Sequence, residues 1–297
     1  MLMTFGAIQQ TPFDFAVVMP TILRSSITDA IDSILAQDFD GTVQVLVGID
    51  SSVGNPDVIA HACRDMPAGF SVMVLDPGYS TSIRHGGLHP SRDGGSLRTV
   101  LTYLANSRRV AYLDDDNWWA PDHLSAMSAA LEHADWAWAR RWFVHPGSRQ
   151  PICEDTWESV GPTPSGGWAD PNTIAIDKLR CEAILRWWSL PLRNSRLAMD
   201  ADRRIFEILS TEFFGAPTNK ASVFYVINES DDAFAERLGW IGVDRYAASG
   251  GTVAACSNND TANPEATFMT AERLGRRDVS VEESTDLKVR RAEVFSG

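Results

Sequence analysis

Three adjacent carboxylates, Asp114, Asp115 and Asp116, follow the apolar run Val110-Ala111-Tyr112-Leu113 and precede Asn117-Trp118-Trp119. An apolar run of this kind reads as a buried strand. Carboxylates at its C-terminal end would stand at the lip of an α/β sheet, where ligands usually bind. Like charges side by side repel unless a cation offsets them. One or two carboxylates, completed by phosphate oxygens, suit Mg²⁺ or Mn²⁺. The segment therefore points to a divalent cation that holds a diphosphate. The plainer reading is a solvated loop or helix cap, because Asp favours first helical turns and Pro121-Asp122-His123-Leu124 reads as a helix start.

A triplet of this kind needs a sheet to carry it. Phe15-Ala16-Val17-Val18-Met19 reads as a short strand ended by Pro20. Residues 26–37 have helical spacing, with Ile27, Ala30, Ile31, Ile34 and Leu35 on one face and Ser25 or Ser26 as cap. Residues 43–49 form a second strand ending at Asp50, and Asn55-Pro56-Asp57 opens a second helix. Residues 70–75 form a third strand. The stretch from Gly86 to Gly95 reads as a flexible loop, and 97–106 as a helix leading into the strand before Asp114. Strand and helix alternating at this spacing predict an α/β fold with a mostly parallel central sheet and right-handed crossovers.

The second part reads differently. Residues 136–144 suggest another strand, 161–167 a Pro/Gly/Ser loop, and 174–188 a stretch containing a helix rich in Leu, Ile and Trp. Residues 199–214 read as an amphipathic helix and 223–227 as a late strand. Beyond about residue 250 the chain turns polar, and 270–295 hold at most one helix. This gives a domain over 10–235, in two halves at 10–117 and 118–235. Residues 236–297 form a partly helical C-terminal extension.

Composition narrows the classes. A chain of 297 residues holds one large domain or two small ones. The net charge of −13 argues against a general nucleic-acid binder and against a polybasic membrane patch. Cys63, Cys153, Cys181 and Cys256 lie far apart without a CxxC pair, so neither a zinc site nor a disulfide scaffold is expected. No run approaches 18 apolar residues, and no basic segment precedes an apolar one at the start. A cytoplasmic protein without a transmembrane segment is the expectation.

With these residues laid out, the chain resembles the inverting family 2 glycosyltransferases of the GT-A fold, over roughly residues 14–210. Five positions carry the resemblance in order: Val17-Val18-Met19-Pro20-Thr21; Ser33-Ile34-Leu35-Ala36-Gln37; Asp50; Arg98-Thr99; and the segment from Tyr112 to Leu124. The resemblance implies the GT-A fold, a nucleotide-diphospho-sugar donor (a UDP-sugar above all) and Mn²⁺ or Mg²⁺. It also implies direct transfer with inversion to a hydroxyl on a glycan, a lipid-linked glycan or a small molecule, in a chain that is free to homo-oligomerise.

Site residues follow from the same resemblance. Pro20, Thr21 and Arg24 form the turn after the first strand, where the base and donor are held. Asp50 would accept the imide N–H of uracil. Asp116 is the metal ligand, with Asp114 or Asp115 touching ribose or supporting the metal through water. Arg98 would grip the diphosphate, and Arg84 and Arg92 lie in a loop that folds over the donor. An inverting transfer needs a carboxylate base. Asp202 is its best match, in Ala201-Asp202-Arg203-Arg204, where Ala201 replaces the usual Glu; Asp200 is the close alternative. Trp118, Trp168 and Asp170 are assigned to the substrate side, because aromatic faces stack on sugars. Trp187 and Trp188 are assigned to packing.

Other chemistries match less well. A nucleotidyltransferase would show a Gly-Thr-Arg-like loop after the first strand, where this chain has Pro20-Thr21-Ile22-Leu23-Arg24. An aspartyl phosphatase would carry its aspartates after the first strand. Two alternatives stay open on the same fold: a non-catalytic donor-binding or scaffold protein, and a retaining transferase.

Overall fold

The computed structural model describes residues 1–6, 9–51, 54–90, 94–160, 167–189 and 201–250. Among the described residues, ten strands form one sheet. They are β1 (Leu2–Gly6), β2 (Phe15–Thr21), β3 (Val43–Ile49), β4 (Phe70–Leu75), β5 (Arg109–Tyr112), β6 (Trp118–Trp119), β7 (Trp136–Val144), β8 (Pro151–Glu154), β9 (Ile174–Asp177) and β10 (Gly215–Val226). Their spatial order is β1-β4-β3-β2-β5-β9-β7-β10-β6, with β8 on the side of β7. The central strands β4, β3, β2 and β5 pair in parallel. Antiparallel ladders join β1 to β4 and β9 to both β5 and β7.

The α-helices among the described residues are α1 (Ile27–Leu35), α2 (Asp57–Ala62), α3 (Gly95–Leu104), α4 (His123–Leu131), α5 (Ala201–Glu212), α6 (Phe234–Ile241) and α7 (Val243–Ala248). All seven residues of β2 are buried, because helices lie on both sheet faces. The alternation of the strand divides them. Phe15, Val17 and Met19 pack with α1, α2 and α4. Ala16 and Val18 face Leu97 and Leu101 of α3, Ile205 and Leu209 of α5, and the buried Trp188. A third cluster joins Phe143, Cys153 and Ile227 to Ile241 and Tyr246 of the last two helices.

Several expectations shift. Pro20 does not end its strand; β2 runs on to Thr21, with Pro20 opposite Gly48. Ser26 makes no side-chain capping bond to α1; the Thr28 hydroxyl instead donates to the Ser25 carbonyl. Residues 174–188 begin as strand β9 and end as a 3₁₀ helix at Glu182–Trp188. The cause is burial. Ile174, Ala175 and Ile176 lie between β5 and β7, and a fully buried strand has no polar face to reveal its period. The 161–166 part of the expected loop lies outside the described residues, as does the chain beyond 250.

Topology places the site. The chain runs from β2 outward through β3 to β4, then crosses back to β5 on the other side of β2. Connections therefore diverge between β2 and β5, which opens a crevice at their C-terminal ends. Thr21 closes β2 there and Asp114 follows β5.

Candidate donor-binding cleft

A cleft of about 460 Å³ opens at this switch point. Its lining includes Pro20, Thr21, Arg24, Asp50, Arg84, Arg98, Asp114, Asp115 and Asp116. Nine of the residues singled out above therefore converge, though they come from five separate chain segments.

The three carboxylates part company at once. Asp115 turns inward and is 1% exposed. It accepts a 2.5 Å hydrogen bond from the Thr21 hydroxyl and pairs with Arg24. Asp114 pairs with Arg98. Its backbone N–H donates to Asn172 Oδ1 at 2.6 Å, and Asn172 Nδ2 donates back to Asp114 Oδ2 at 3.0 Å. Asp116 turns outward, with Asn117 Nδ2 at 3.0 Å and Arg24 Nη1 at 3.3 Å. Withdrawal into the cleft, and next the Asp114 charge, push the Asp116 carboxyl up to about 7, while Arg24 pulls against them. Among the described residues no three acidic, histidine or cysteine side chains gather as a ready cation cage. What the site offers a cation is the Asp116 carboxylate, which fits an ion that takes one or two protein oxygens and completes its shell from phosphate and water.

The cationic side is as definite. Arg98 is 6% exposed, on the second turn of α3, with its guanidinium 5.5 Å from the Trp188 ring centroid. Trp188 is thus buried packing, as the sequence suggests. Gly94 precedes the helix at φ 71, and a Cβ built on it would approach the Pro20 ring to 2.5 Å. Only glycine lets α3 start so close to β2.

Asp50 is nearly buried and holds a loop. Its Oδ1 accepts from the Thr81 N–H at 2.8 Å and the Thr81 hydroxyl at 2.6 Å, while Oδ2 accepts from the Ser80 hydroxyl at 3.3 Å. Three residues on, the 3₁₀ turn Ile83–His85 presents Arg84 and His85 to the cleft. Arg92 lies outside the described residues.

The remaining candidates are not in the cleft lining. Trp118 stacks on Phe224 at 5.3 Å, with the Arg149 guanidinium 4.3 Å over its face. Trp168 sits between Arg141 at 5.8 Å and Arg203 at 5.2 Å. Asp170 is buried. It accepts from Arg141 Nη1 at 3.0 Å, from the Asn172 N–H at 3.0 Å and from Asn172 Nδ2 at 2.5 Å. Asp202 opens α5, where its Oδ1 accepts the Arg203 N–H at 2.7 Å. Asp200 lies outside the described residues.

Sequence reasoning passed over Ile22, His85, Gly94 and Asn228, which also line the cleft, and Asn172 behind it. Asn172 had a signal. An amide two residues after Asp170, with only Thr173 between it and an apolar run, stands at the mouth of a buried strand, where it must find partners.

No protein-family model matches the chain, and no curated protein matches it in sequence. Solved structures do match. Residues 1–349 of TarS from S. aureus superpose with a TM-score of 0.50 at 18% identity, covering 78% of this chain and 65% of that one. The same TarS fragment in complex with UDP gives 0.50 at 18%, again over 78% and 65%. In complex with UDP-GlcNAc it gives 0.51 at 17%, over 78% and 66%. The chain therefore spans about two thirds of the TarS fragment. The likeness is one of fold: a large central sheet flanked by helices, the GT-A architecture expected from the sequence.

Proposed function

We propose that the chain is a glycosyltransferase. It moves a sugar from a nucleoside-diphosphate donor, UDP-linked, to a hydroxyl acceptor, with inversion. The observation that carries this is the cleft at the β2/β5 switch point, where Arg24, Arg84 and Arg98 meet Asp114, Asp115 and Asp116. Three guanidiniums suit the two phosphates of a donor. The shared fold supports the reading, since TarS is crystallised with UDP and with UDP-GlcNAc.

Each residue then has a task. Arg98, Arg84 and Arg24 draw in the diphosphate, and Pro20 and Thr21 shape the floor beneath the nucleoside. Asp50 retains acceptor capacity on Oδ2 for a base N–H. Asp116 holds Mn²⁺ or Mg²⁺, with Asp114 beside it. When bound, the cation neutralises charge on the departing diphosphate. Asp202 takes the proton from the acceptor hydroxyl. Trp118, Trp168 and Asp170 belong to the acceptor side, and the acceptor is a glycan, a lipid-linked glycan or a small hydroxyl compound. Among the described residues no helix is long and apolar enough to cross a membrane.

The test is a donor panel with Mn²⁺ or Mg²⁺, scoring release of nucleoside diphosphate and product anomer, with Asp116→Ala and Asp202→Asn alongside. Transfer with inversion that collapses in both variants is expected. Undiminished transfer by Asp116→Ala would remove the cation from that residue. The position of Asp202 outside the cleft lining favours one second reading, donor binding without turnover. Tight UDP binding with no product from any acceptor would select it.

A further inference from the structure

We infer that Arg24 is the resident counter-cation of the acidic triplet and competes with a divalent ion for Asp116. The inference rests on the donor-binding reading above.

One Arg24 nitrogen, Nη1, serves two carboxylates unequally. It pairs with Asp115, whose side chain is 2% exposed, and lies 3.3 Å from Asp116 Oδ2, whose side chain is 43% exposed. The Asp115 carboxylate is closed off from water and backed by the Thr21 hydroxyl. The Asp116 contact is long and open to solvent, so it is weak. An arriving cation needs to displace only the weaker contact.

The backbone holds Arg24 at this post. Leu23 before it adopts φ 64, a left-handed conformation uncommon for a branched side chain, and is 3% exposed. The Leu23 N–H donates to the Thr21 hydroxyl at 2.7 Å. Gly54 lies so close that a Cβ there would meet the Leu23 carbonyl oxygen at 2.2 Å. One hydroxyl thus fixes both the turn that aims Arg24 and the carboxylate that receives it. Backbone strain kept in place on both sides is a mark of functional positions.

A cation that takes Asp116 releases part of the Arg24 guanidinium, which stays tethered to Asp115 in a cleft that Arg84 and Arg98 also line. The released donors then face the diphosphate. Arg24 therefore suppresses binding of the bare ion yet favours binding of the nucleotide. A purely structural residue would weaken both when replaced.

That opposition is the test. Mn²⁺ alone is titrated into the full chain by electron paramagnetic resonance, and UDP is titrated separately in EDTA. Arg24→Gln is expected to bind Mn²⁺ on the order of tenfold tighter than the parent, because a unit positive charge beside the ion is gone. It is expected to bind UDP more weakly, while Arg24→Lys stays near the parent in both. Adding Asp116→Asn to Arg24→Gln should abolish the tightening. Mn²⁺ affinity unchanged or lower in Arg24→Gln overturns the inference, as does tightening that survives Asp116→Asn. Should Arg24→Gln melt well below the parent, Arg24→Met is read by the same criteria. Failure of the parent to bind UDP under any condition would sink the donor reading alone; UDP binding without Mn²⁺ tightening would sink only the role of Arg24.

Discussion

Two regions of this molecule use the same residue types to opposite ends. In the cleft, Arg24 and Asp116 keep 49% and 43% of their side-chain surface exposed. About the ring of Tyr225, Arg141 is 2% exposed and Asp155 fully buried. Arg141 donates to Asp155 at 2.9 Å and Asp170 at 3.0 Å, and also pairs with Glu158. Arg237 of α6 joins it through Glu158 at 3.1 Å and Asp231 at 2.7 Å. The buried network has a partner for each of these charges. The cleft leaves a carboxylate like-charged and under-paired. A charge is available for binding to the degree that the fold leaves it unsatisfied, so the two regions should answer mutation with opposite signs.

The largest effect is expected inside. Arg141→Met leaves the buried Asp155 and Asp170 without their shared partner and Glu158 with Arg237 alone, and should lower unfolding free energy by about 3–5 kcal/mol in urea titrations. Asp116→Ala should do the reverse. It relieves like-charge repulsion, so the melting temperature should hold or rise, while affinity for UDP in the presence of Mn²⁺ falls on the order of a hundredfold in calorimetry. A drop in melting temperature as large as that of Arg141→Met would erase the contrast.

Asn172 is the join between the regions, since its amide reaches both Asp114 and Asp170. Asn172→Ala orphans the Asp114 N–H and should cost about 1–3 kcal/mol in stability. It should also weaken UDP binding; a change in only one of the two readouts would show that the regions are independent.

The smallest effect is expected at His123, stacked 4.2 Å from the Trp119 ring with Nδ1 2.8 Å from the Ser222 hydroxyl. Burial drives its pKa down to about 3. The folded state therefore keeps it neutral while the unfolded chain takes up a proton near 6.5. Its stability contribution is present above the unfolded value and is lost as pH falls from there toward 3. This amounts to about 1–2 kcal/mol between pH 7 and pH 5. Urea titrations of His123→Gln at both pH values should show a shallower loss than the parent.

The elements around the cleft were legible in the sequence because their signals are local. Strands 43–49 and 70–75 sit where their β-branched runs indicate, and the triplet follows its strand. Arg98 was singled out through the family resemblance at Arg98-Thr99, and it lines the cleft. What the sequence concealed depends on distant partners. Asp115 and Asp116 look alike in one dimension, and only Thr21 and Arg24 turn one inward and leave the other out. Nothing near Trp168 and Asp170 in sequence announces Arg141, the buried cation that both lie against. β9 hid within an apolar stretch that burial on both faces makes uniform.

The contact of the bare Gly94 backbone with the Pro20 ring sets the gauge of the cleft. Arg24 follows one arm, β2, and Arg98 rides on the other, α3, and the arms meet where Gly94 has no room for a methyl group. The gap between the two guanidiniums is thus governed by the fit of one backbone against one ring. A ligand of different phosphate span could be admitted by a wedge at that hinge, with every charged group left as it is.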